Sequence, residues 1–431
     1  MRQWMVAAKK ADFYAIAEKF HVDPVVARII RNREVIGEKN IRIYLGGNLS
    51  DLSDPHQMKD MDRLVEILAQ KIRKQVHIRI IGDYDVDGVT SSHLFLTALR
   101  RVGAKVDVVI PHRIQDGYGL SLHLLQQAKE DGVDTILTCD NGIAAIDEIA
   151  WAKAQKMTVL VTDHHAVPFE EHEGRRTEKK SLADAVVNPH QQDCRYPYKE
   201  LCGAGVAWNV IRVLYENYDM DKREAEDLLD FVAMATVCDV MSLTGENRIL
   251  VKEGLKRIRH TKNIGLQALM QACNVQPENI SAYHFGYVLG PCVNATGRLD
   301  TARHALRLFE TGQETEAEEI ARDLVDLNQE RKELTLQGVE MAKKLCEEGG
   351  YENDPILVLF LPDVHESIAG LIAGRIREMY NRPVFVLTRG EEGVKGSGRS
   401  TENYSMYENM CGCAELFTKF GGHPMAAGGF F

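Results

Sequence analysis

Four hundred and thirty-one residues are too many for one hydrophobic core, since single cores stop growing at about 250–300 residues, so two or three domains are expected. Hydrophobic residues at 45% and charged residues at 27% exclude wholesale disorder, and no run of about 18 apolar residues offers a membrane span. A formal net charge of −11 argues against a chain that binds polyanions over its whole surface; modest local basic excesses occur, among them residues 1–43 (net +4) and 371–399 (net +3), and a solvated helix face explains them as well as nucleic acid does.

The opening stretch is broken by Lys9, Lys10 and Asp12 and does not read as a secretory signal, so a soluble, cytoplasmic protein is expected. Nine cysteines, an odd number set mostly singly in apolar runs, point to reduced, buried thiols. Cys411 and Cys413 form a CxC with no second pair at zinc-ligand spacing.

Residues 1–70 lack strand-like alternation and read as a helical leader. From Gln75 strands alternate with helices: QVHIRIIGDYDVDG, an apolar run ending in carboxylates, then the helix TSSHLFLTALRRVG closed by Gly103, the strand AKVDVVIPHR, the helix SLHLLQQAKEDG, the strand TILTCDNG, the helix IDEIAWAKAQKM and the strand MTVLVTDHH. A charged interruption at 170–180 reads as a surface insertion before a further strand, AVVNP. Strands alternating with helices of 10–15 residues imply right-handed crossovers and a parallel sheet.

Residues 200–310 are mainly helical, and 314–348 form one long polar helix with a narrow stripe of Ile320, Leu324, Leu327 and Leu334. At about 1.5 Å per residue it would reach about 50 Å, a length suited to bridging two lobes. After Gly350 a second α/β unit follows, with PILVLFLP, SIAGLIAGRIREMY and PVFVLT, closing on GSGRS and a glycine-rich tail. The expected fold is α/β: a leader (1–70), a parallel-sheet domain with a helical second half (71–312), a connecting helix (313–349) and a smaller α/β domain (350–431).

The informative feature is where the acids and imidazoles fall. One strand ends in Asp83, Asp85 and Asp87, followed by Gly88; another in Asp140, Asn141 and Gly142; a third in Asp163, His164 and His165. Ligands in open α/β sheets bind beyond the carboxyl ends of the strands, so three clusters distant in sequence can meet at one edge. Such a gathering of carboxylates needs cations to offset its repulsion, and mixed oxygen and imidazole ligands suit Mn²⁺, then Mg²⁺, with zinc less suited. Two metals acting together imply hydrolysis of a phosphoester or phosphoanhydride. Asp239, emerging from the apolar run FVAMATVC, becomes a candidate completing ligand in that company.

DYDVDG, DNG, DHH and the later acid of ATVCDV resemble the DHH phosphoesterase superfamily, and GPCVNATGRLDTA, VHESIAGLIAGRIREMYNRP, GSGRS and FGGHPMAAG resemble motifs of its RecJ branch of bacterial single-stranded-DNA exonucleases. The resemblance implies a DHH domain joined to a DHHA1 domain. It implies Asp85, Asp87, Asp140, His164 and Asp239 as metal ligands, with Asp83 and His165 as catalytic or supporting neighbours. It further implies Asn294 and Arg298 of NATGR, Ser397 and Arg399 of GSGRS, and His423 of FGGH as contacts to nucleic-acid phosphate, His423 facing the cleft from a glycine-rich loop. Arginine's planar fork suits phosphate oxygens, and glycines beside Ser397 and His423 permit close backbone approach. His365 either joins the site or caps the helix that follows it.

The implied activity is 5′→3′ hydrolysis of single-stranded DNA with two divalent cations, in repair and recombination, alongside single-strand-binding protein and a RecQ-type helicase. Val364–Ser367 read VHES where members of that branch often read WHEG, which would alter packing or a substrate contact locally. Members of the branch usually continue past FGGHPMAAG into an OB-fold, whereas this sequence stops at Phe431, so a fragment or a short form with weaker, salt-sensitive strand binding is expected. Two other readings are a nano-RNase, nucleotide phosphatase or cyclic-dinucleotide phosphodiesterase of the same superfamily, and a non-catalytic replication scaffold. The first is disfavoured by the leader and the long helical insertion, the second by the retention of every implied ligand.

Overall fold

The computed structural model describes residues 9–172, 175–390 and 393–431. The first eight residues of the expected leader, two residues of the charged interruption and two of the second α/β unit lie outside the described residues. The chain divides into two compact units: one runs to Gly297 and takes in Thr301–Arg322, the other comprises Arg298–Asp300 and Asp323–Phe431. No helix among the described residues is long and apolar enough to cross a membrane.

The leader forms α1 (Phe13–Phe20), α2 (Pro24–Asn32), α3 (Glu38–Gly46) and α4 (Met61–Arg73). Asp12 and Asp23 cap the first two by accepting the Ala15 and Val25 N–H groups, the favoured chemistry at a helix start. α4 is amphipathic and buries Leu64, Val65, Leu68, Ala69 and Ile72.

The main sheet holds β1 (Ile78–Ile81), β2 (Val106–Val109), β3 (Thr135–Cys139), β4 (Thr158–Thr162) and β7 (Ala185–Val187). Its order is β2-β1-β3-β4-β7, and every pairing is parallel. Helices α5 (Val86–Arg101), α6 (Leu122–Glu130) and α7 (Ile146–Ala154) make the crossovers. Leu124, Leu125, Ala128, Ile149 and Ala152 pack with Ile81, Ile136, Val159 and Val161 as a continuous apolar layer. The chain leaves β1 for β2 on one side and returns to β3 on the other, so the sheet's topological switch lies between β1 and β3.

One boundary differs from the sequence expectation in a way that matters. α5 begins at Val86, inside the acidic motif, rather than at Thr90, because the Asp85 carboxylate accepts the Gly88 N–H at 3.0 Å and caps the helix. Asp83 thus sits in the loop, Asp85 at the cap and Asp87 in the first turn. The described part of the charged interruption is an antiparallel ribbon of β5 (Phe169–His172) and β6 (Arg175–Glu178), a sheet of its own.

The helical half contains α8 (Gly203–Asn217), α9 (Lys222–Glu226), α10 (Leu229–Cys238), α11 (Gly245–Arg257), α12 (Ile264–Ala272), α13 (Ala282–His284), α14 (Gly290–Leu299) and α15 (Ala302–Glu310). Helix α16 (Glu314–Gly349) follows, its first turns assigned to one unit and the remainder to the other. In the second unit, β8 (Leu357–Phe360), β9 (Val384–Gly390), β10 (Gly393–Arg399), β11 (Lys419–His423) and β12 (Ala426–Phe430) form a sheet ordered β11-β12-β10-β9-β8, parallel only between β8 and β9. Helices α17 (Glu366–Tyr380) and α18 (Met406–Cys411) belong to this unit. Val364 of the VHES segment lies in its core with Ile368, Ile372 and Val386.

Two expectations are corrected. The glycine-rich tail is not a loop but a β-hairpin, β11 and β12, with β12 central in the sheet between β11 and β10. The thiols are free as expected, but they are not all buried: Cys411 is exposed and Cys238, Cys273 and Cys413 are partly so.

Asp230, in the first turn of α10, is buried and accepts hydrogen bonds from Thr261 Oγ1 (2.7 Å) and the Phe231 N–H (2.8 Å). Burial outweighs those donors and raises its carboxyl to about 6. A raised acid stabilises the fold fully below its unfolded value, and this contribution is lost as pH climbs through about 6. Asp230→Asn is therefore expected to gain stability relative to the parent chain as pH rises from about 4.5 to 7.5. Urea unfolding at the two pH values checks this; a stability difference unchanged with pH would contradict it.

Candidate metal centre

Adjacency of β1, β3 and β4 sets Asp83, Asp140 and Asp163 side by side at one sheet edge, as the spacing of the motifs anticipated. One ligand atom from each of Asp83, Asp85 and Asp140 lies within 4.8 Å of the others, and the same holds for Asp87, His164 and Asp239, and for Asp140, His164 and His165. His164 Nε2 links the first two trios. It stands 3.1 Å from Asp140 Oδ1, 3.6 Å from Asp239 Oδ2 and 3.7 Å from Asp87 Oδ2. The structure thus draws together all five residues expected as ligands, and places Asp83 among ligand-type atoms rather than beside them.

These donors fit divalent cations. Asp140 Oδ1 and His164 Nε2 are buried and close, yet the pair lacks hydrogen-bond geometry and neither atom has a hydrogen-bond partner; Asp83 Oδ1 is in the same condition. Buried polar atoms are rarely left so, and donors that share a neighbourhood without bonding to one another are placed as ligands are. Burial first, then the neighbouring carboxylates, pushes Asp83, Asp85, Asp140 and Asp239 above the usual carboxylate range. Bound cations would remove that penalty. Burial lowers His164 and keeps its imidazole neutral, the form that ligates.

Asp163 does different work. It accepts the N–H groups of Ile143 (2.9 Å), His164 (2.7 Å) and His165 (3.0 Å) and pairs with His165 Nδ1 at 2.8 Å. Burial alone would lower His165, but the Asp163 hydrogen bond and charge, with Asp239 and Asp87, raise it to about 9. Asp140 has φ of +61°, a left-handed conformation uncommon outside glycine and characteristic of functional strain.

Three features escaped the sequence reading. Gly203 and Ala204, at the start of α8, donate their N–H groups to Asp87 at 2.6 and 2.8 Å, so a helix N-terminus clamps this carboxylate. Tyr118 donates its hydroxyl to the Asp140 carbonyl at 3.0 Å and lies 3.1 Å from His165 Nε2. Arg113 stacks on Tyr84 at 3.8 Å and donates Nε to the Gly297 carbonyl at 2.8 Å, and its charge acts on Asp83 and Asp85. Arg113 follows β2, so the strand-end rule that found the acids could also have found it.

Asn294 is engaged locally: its amide oxygen accepts the Val86 N–H at 3.1 Å, holding the start of α5. In the second unit, Ser397 and Arg399 converge on α17. A Cβ at Gly370 would lie 2.7 Å from both Ser397 Oγ and Arg399 Nη2, so glycine is needed for that approach. Burial first, and then Arg377, lowers Arg399, and no carboxylate pairs with it among the described residues. A half-buried guanidinium without an acid, beside a second arginine, forms a seat for an anion. Arg298 donates Nη1 to the Ser367 carbonyl at 2.7 Å. His365 caps α17, accepting the Ser367 N–H at 3.3 Å. His423 ends the edge strand β11 and is exposed, so it does not occupy the loop position expected of it.

Fold and site define a class, the DHH phosphoesterases that carry a DHHA1 domain. The family model described as "DHH family, N-terminal domain" matches residues 77–236, and that described as "DHHA1 domain" matches residues 353–430. The chain is 36% identical over 423 residues to the single-stranded-DNA-specific exonuclease RecJ of Haemophilus influenzae, covering 94% of this chain and 71% of that protein. It is 34% identical over 416 residues to the RecJ of Bacillus subtilis, covering 96% of this chain and 51% of that one. The crystal structure of RecJ from Thermus thermophilus in complex with Mn²⁺ superposes with a TM-score of 0.80 at 29% identity, over 97% of this chain and 58% of that chain. The chain belongs to the RecJ family, and it spans about half the length of the Bacillus relative.

Gly203 offers a test of the centre that touches no ligand. A Cβ there would stand 2.6 Å from the Asp140 Cβ, which no real pair tolerates. Gly203→Ala is expected to retain its helical content while losing about 10–100-fold in Mn²⁺ affinity, the scale for groups that position ligands. Calorimetric titration with Mn²⁺ measures this, and parent-like affinity would refute the need for glycine at this close approach to Asp140.

Proposed function

We propose that this chain is a metal-dependent exonuclease that hydrolyses single-stranded DNA from the 5′ end. The observation that carries the reading is the clustering of Asp83, Asp85, Asp87, Asp140, His164 and Asp239, in which the buried Asp83 Oδ1, Asp140 Oδ1 and His164 Nε2 have no hydrogen-bond partner among the described residues. Family membership supports nucleic-acid phosphodiesters as the substrate class.

Asp85, Asp87, Asp140, His164 and Asp239 would hold two divalent cations, Mn²⁺ in preference and Mg²⁺ as a substitute, with Asp83 completing the acidic set. When bound, such ions supply Lewis acidity towards the phosphate and relieve the repulsion among the carboxylates. The protein's part is preorganisation. α8 fixes Asp87 through two N–H groups, Asp163 orients His165, and Tyr118 braces His165 from its other ring nitrogen. Held in this way, His165 would offer a ring N–H to phosphoryl oxygens as they gain negative charge, a preorganised donor of the kind that stabilises such charge. Ser397 and Arg399 would grip a substrate phosphate through a hydroxyl and a planar fork. Arg298 would assist them. Single-strand-binding protein and a RecQ-type helicase, which exposes single strands, are the protein partners that suit this reading, in the cytoplasm.

Asp140→Ala is expected to abolish degradation of end-labelled single strands with the circular dichroism spectrum retained. Near-parent activity would reject Asp140 as a ligand. Arg399→Ala is expected to weaken strand binding by about tenfold and to blunt any preference for a 5′ phosphate, since a charged hydrogen bond carries about 1.5–3 kcal/mol. A time course on long 5′-phosphorylated single strands, duplexes and dinucleotides, with Mn²⁺, Mg²⁺ or chelator, tests chemistry, polarity and substrate length together. Faster turnover of dinucleotides than of long strands would favour the nano-RNase reading.

A further inference from the structure

Two cysteines that the proposed chemistry does not use bring α12 and α14 together. Cys273 closes α12 and is partly exposed, whereas Cys292, near the start of α14, is 2% exposed. Their Sγ atoms stand 3.8 Å apart. That is direct contact between sulfurs, and about 1.8 Å longer than a disulfide bond.

Neither thiol is held in the middle of a regular helix. Cys273 is followed by Asn274 in the left-handed region (φ +55°), where α12 has ended. The Cys292 thiol donates to the Val288 carbonyl at 3.3 Å, within a π-helical turn (Phe285–Leu289). Such a turn interrupts the α-helical hydrogen-bond register just before Cys292.

From Cys292, α14 leads to the metal centre. Two residues on, the Asn294 amide oxygen accepts the Val86 N–H at 3.1 Å. Val86 begins α5, whose cap is Asp85 and whose first turn holds Asp87. Closing the gap between the sulfurs would pull on α14 beside Asn294, and groups that orient ligands in this way govern metal affinity.

We propose that Cys273 and Cys292 are a redox-active pair that hydrogen peroxide converts to a disulfide, and that this bond weakens cation binding through Asn294. The more exposed Cys273 reacts first. Its sulfur attacks one peroxide oxygen, the O–O bond breaks, and the departing hydroxide takes the thiol proton as water, leaving a sulfenic acid. The Cys292 sulfur then attacks the Cys273 sulfur, the S–O bond breaks, and a second water leaves with the Cys292 proton. Two thiols are oxidised to one disulfide and the peroxide is reduced to two waters; a dithiol reductant reverses the change. The disulfide needs only the two thiols, while its effect on cations rests on the metal centre.

The full chain, reduced, then treated with hydrogen peroxide and freed of it, is digested without reductant and mapped by mass spectrometry. Peptides joined through Cys273 and Cys292 are expected, to be separated by dithiothreitol and to be missing from Cys273→Ser. The same preparations are titrated calorimetrically with Mn²⁺. The oxidised parent is expected to bind about tenfold more weakly than the reduced one, the scale for groups that position ligands, and to recover on reduction. Cys273→Ser, which touches no ligand, is expected to bind as the reduced parent does, before and after peroxide. Absence of the joined peptides from the natively oxidised chain overturns the proposal. So does a joined pair with unchanged Mn²⁺ affinity, or an equal loss of affinity in Cys273→Ser. Mapping needs no metal, so failure of the disulfide is distinct from failure of the metal centre, which would show as a reduced parent that binds no Mn²⁺.

Discussion

Mutual repulsion among buried carboxylates is the constraint around which the first unit is arranged. The buried Asp83, Asp87 and Asp140 and the half-buried Asp85 and Asp239 are brought within coordinating distance near the carboxyl edge of a parallel sheet. Left uncompensated, such a cluster would gain protons or open. The fold tolerates it because each acid is tied to a rigid element: Asp83 to the end of β1, Asp85 and Asp87 to the first turn of α5, Asp140 to the end of β3, Asp239 to the end of α10. The cations of the proposed function supply the remaining compensation.

The means of holding the cluster are mostly backbone. The N-terminus of α8 meets Asp87 with two N–H groups, and Asp163 gathers three more to shape the turn that carries both histidines. Backbone donors fixed by helices and strands need little reorganisation when charge develops, the property that makes a polar site effective. The left-handed Asp140 follows the same logic: a strained residue persists where the elements around it leave no alternative.

The second unit reaches an anion seat by a different route. Its inner strands are rich in glycine, so that Ser397 and Arg399 of β10 lie close against Gly370 of α17, and a half-buried guanidinium has no carboxylate partner among the described residues. As a motif, FGGH reads as part of a glycine-rich loop, and GSGRS as a close-approach phosphate contact. In the sheet they are paired strands, because glycine in a strand also permits close approach of a neighbouring layer.

Much of this was legible in the sequence. Alternating strand and helix patterns located the parallel sheet, and the clustering of Asp83, Asp85, Asp87, Asp140 and His164 at strand ends located the centre, since a parallel sheet obliges successive carboxyl ends to share an edge. Asp239 was legible only in their company. Strand order was decided by tertiary structure alone, and with it the adjacency of β1, β3 and β4; so were the role of Asp87 as a clamped acid, the stacking of Arg113 on Tyr84 and the engagement of Asn294 at the start of α5. The physical reason is one of range. Periodicity and motif spacing record interactions between near neighbours along the chain, whereas the contact of Gly203 with Asp87, or of Asn294 with Val86, joins residues more than a hundred positions apart and exists only once the helices have packed.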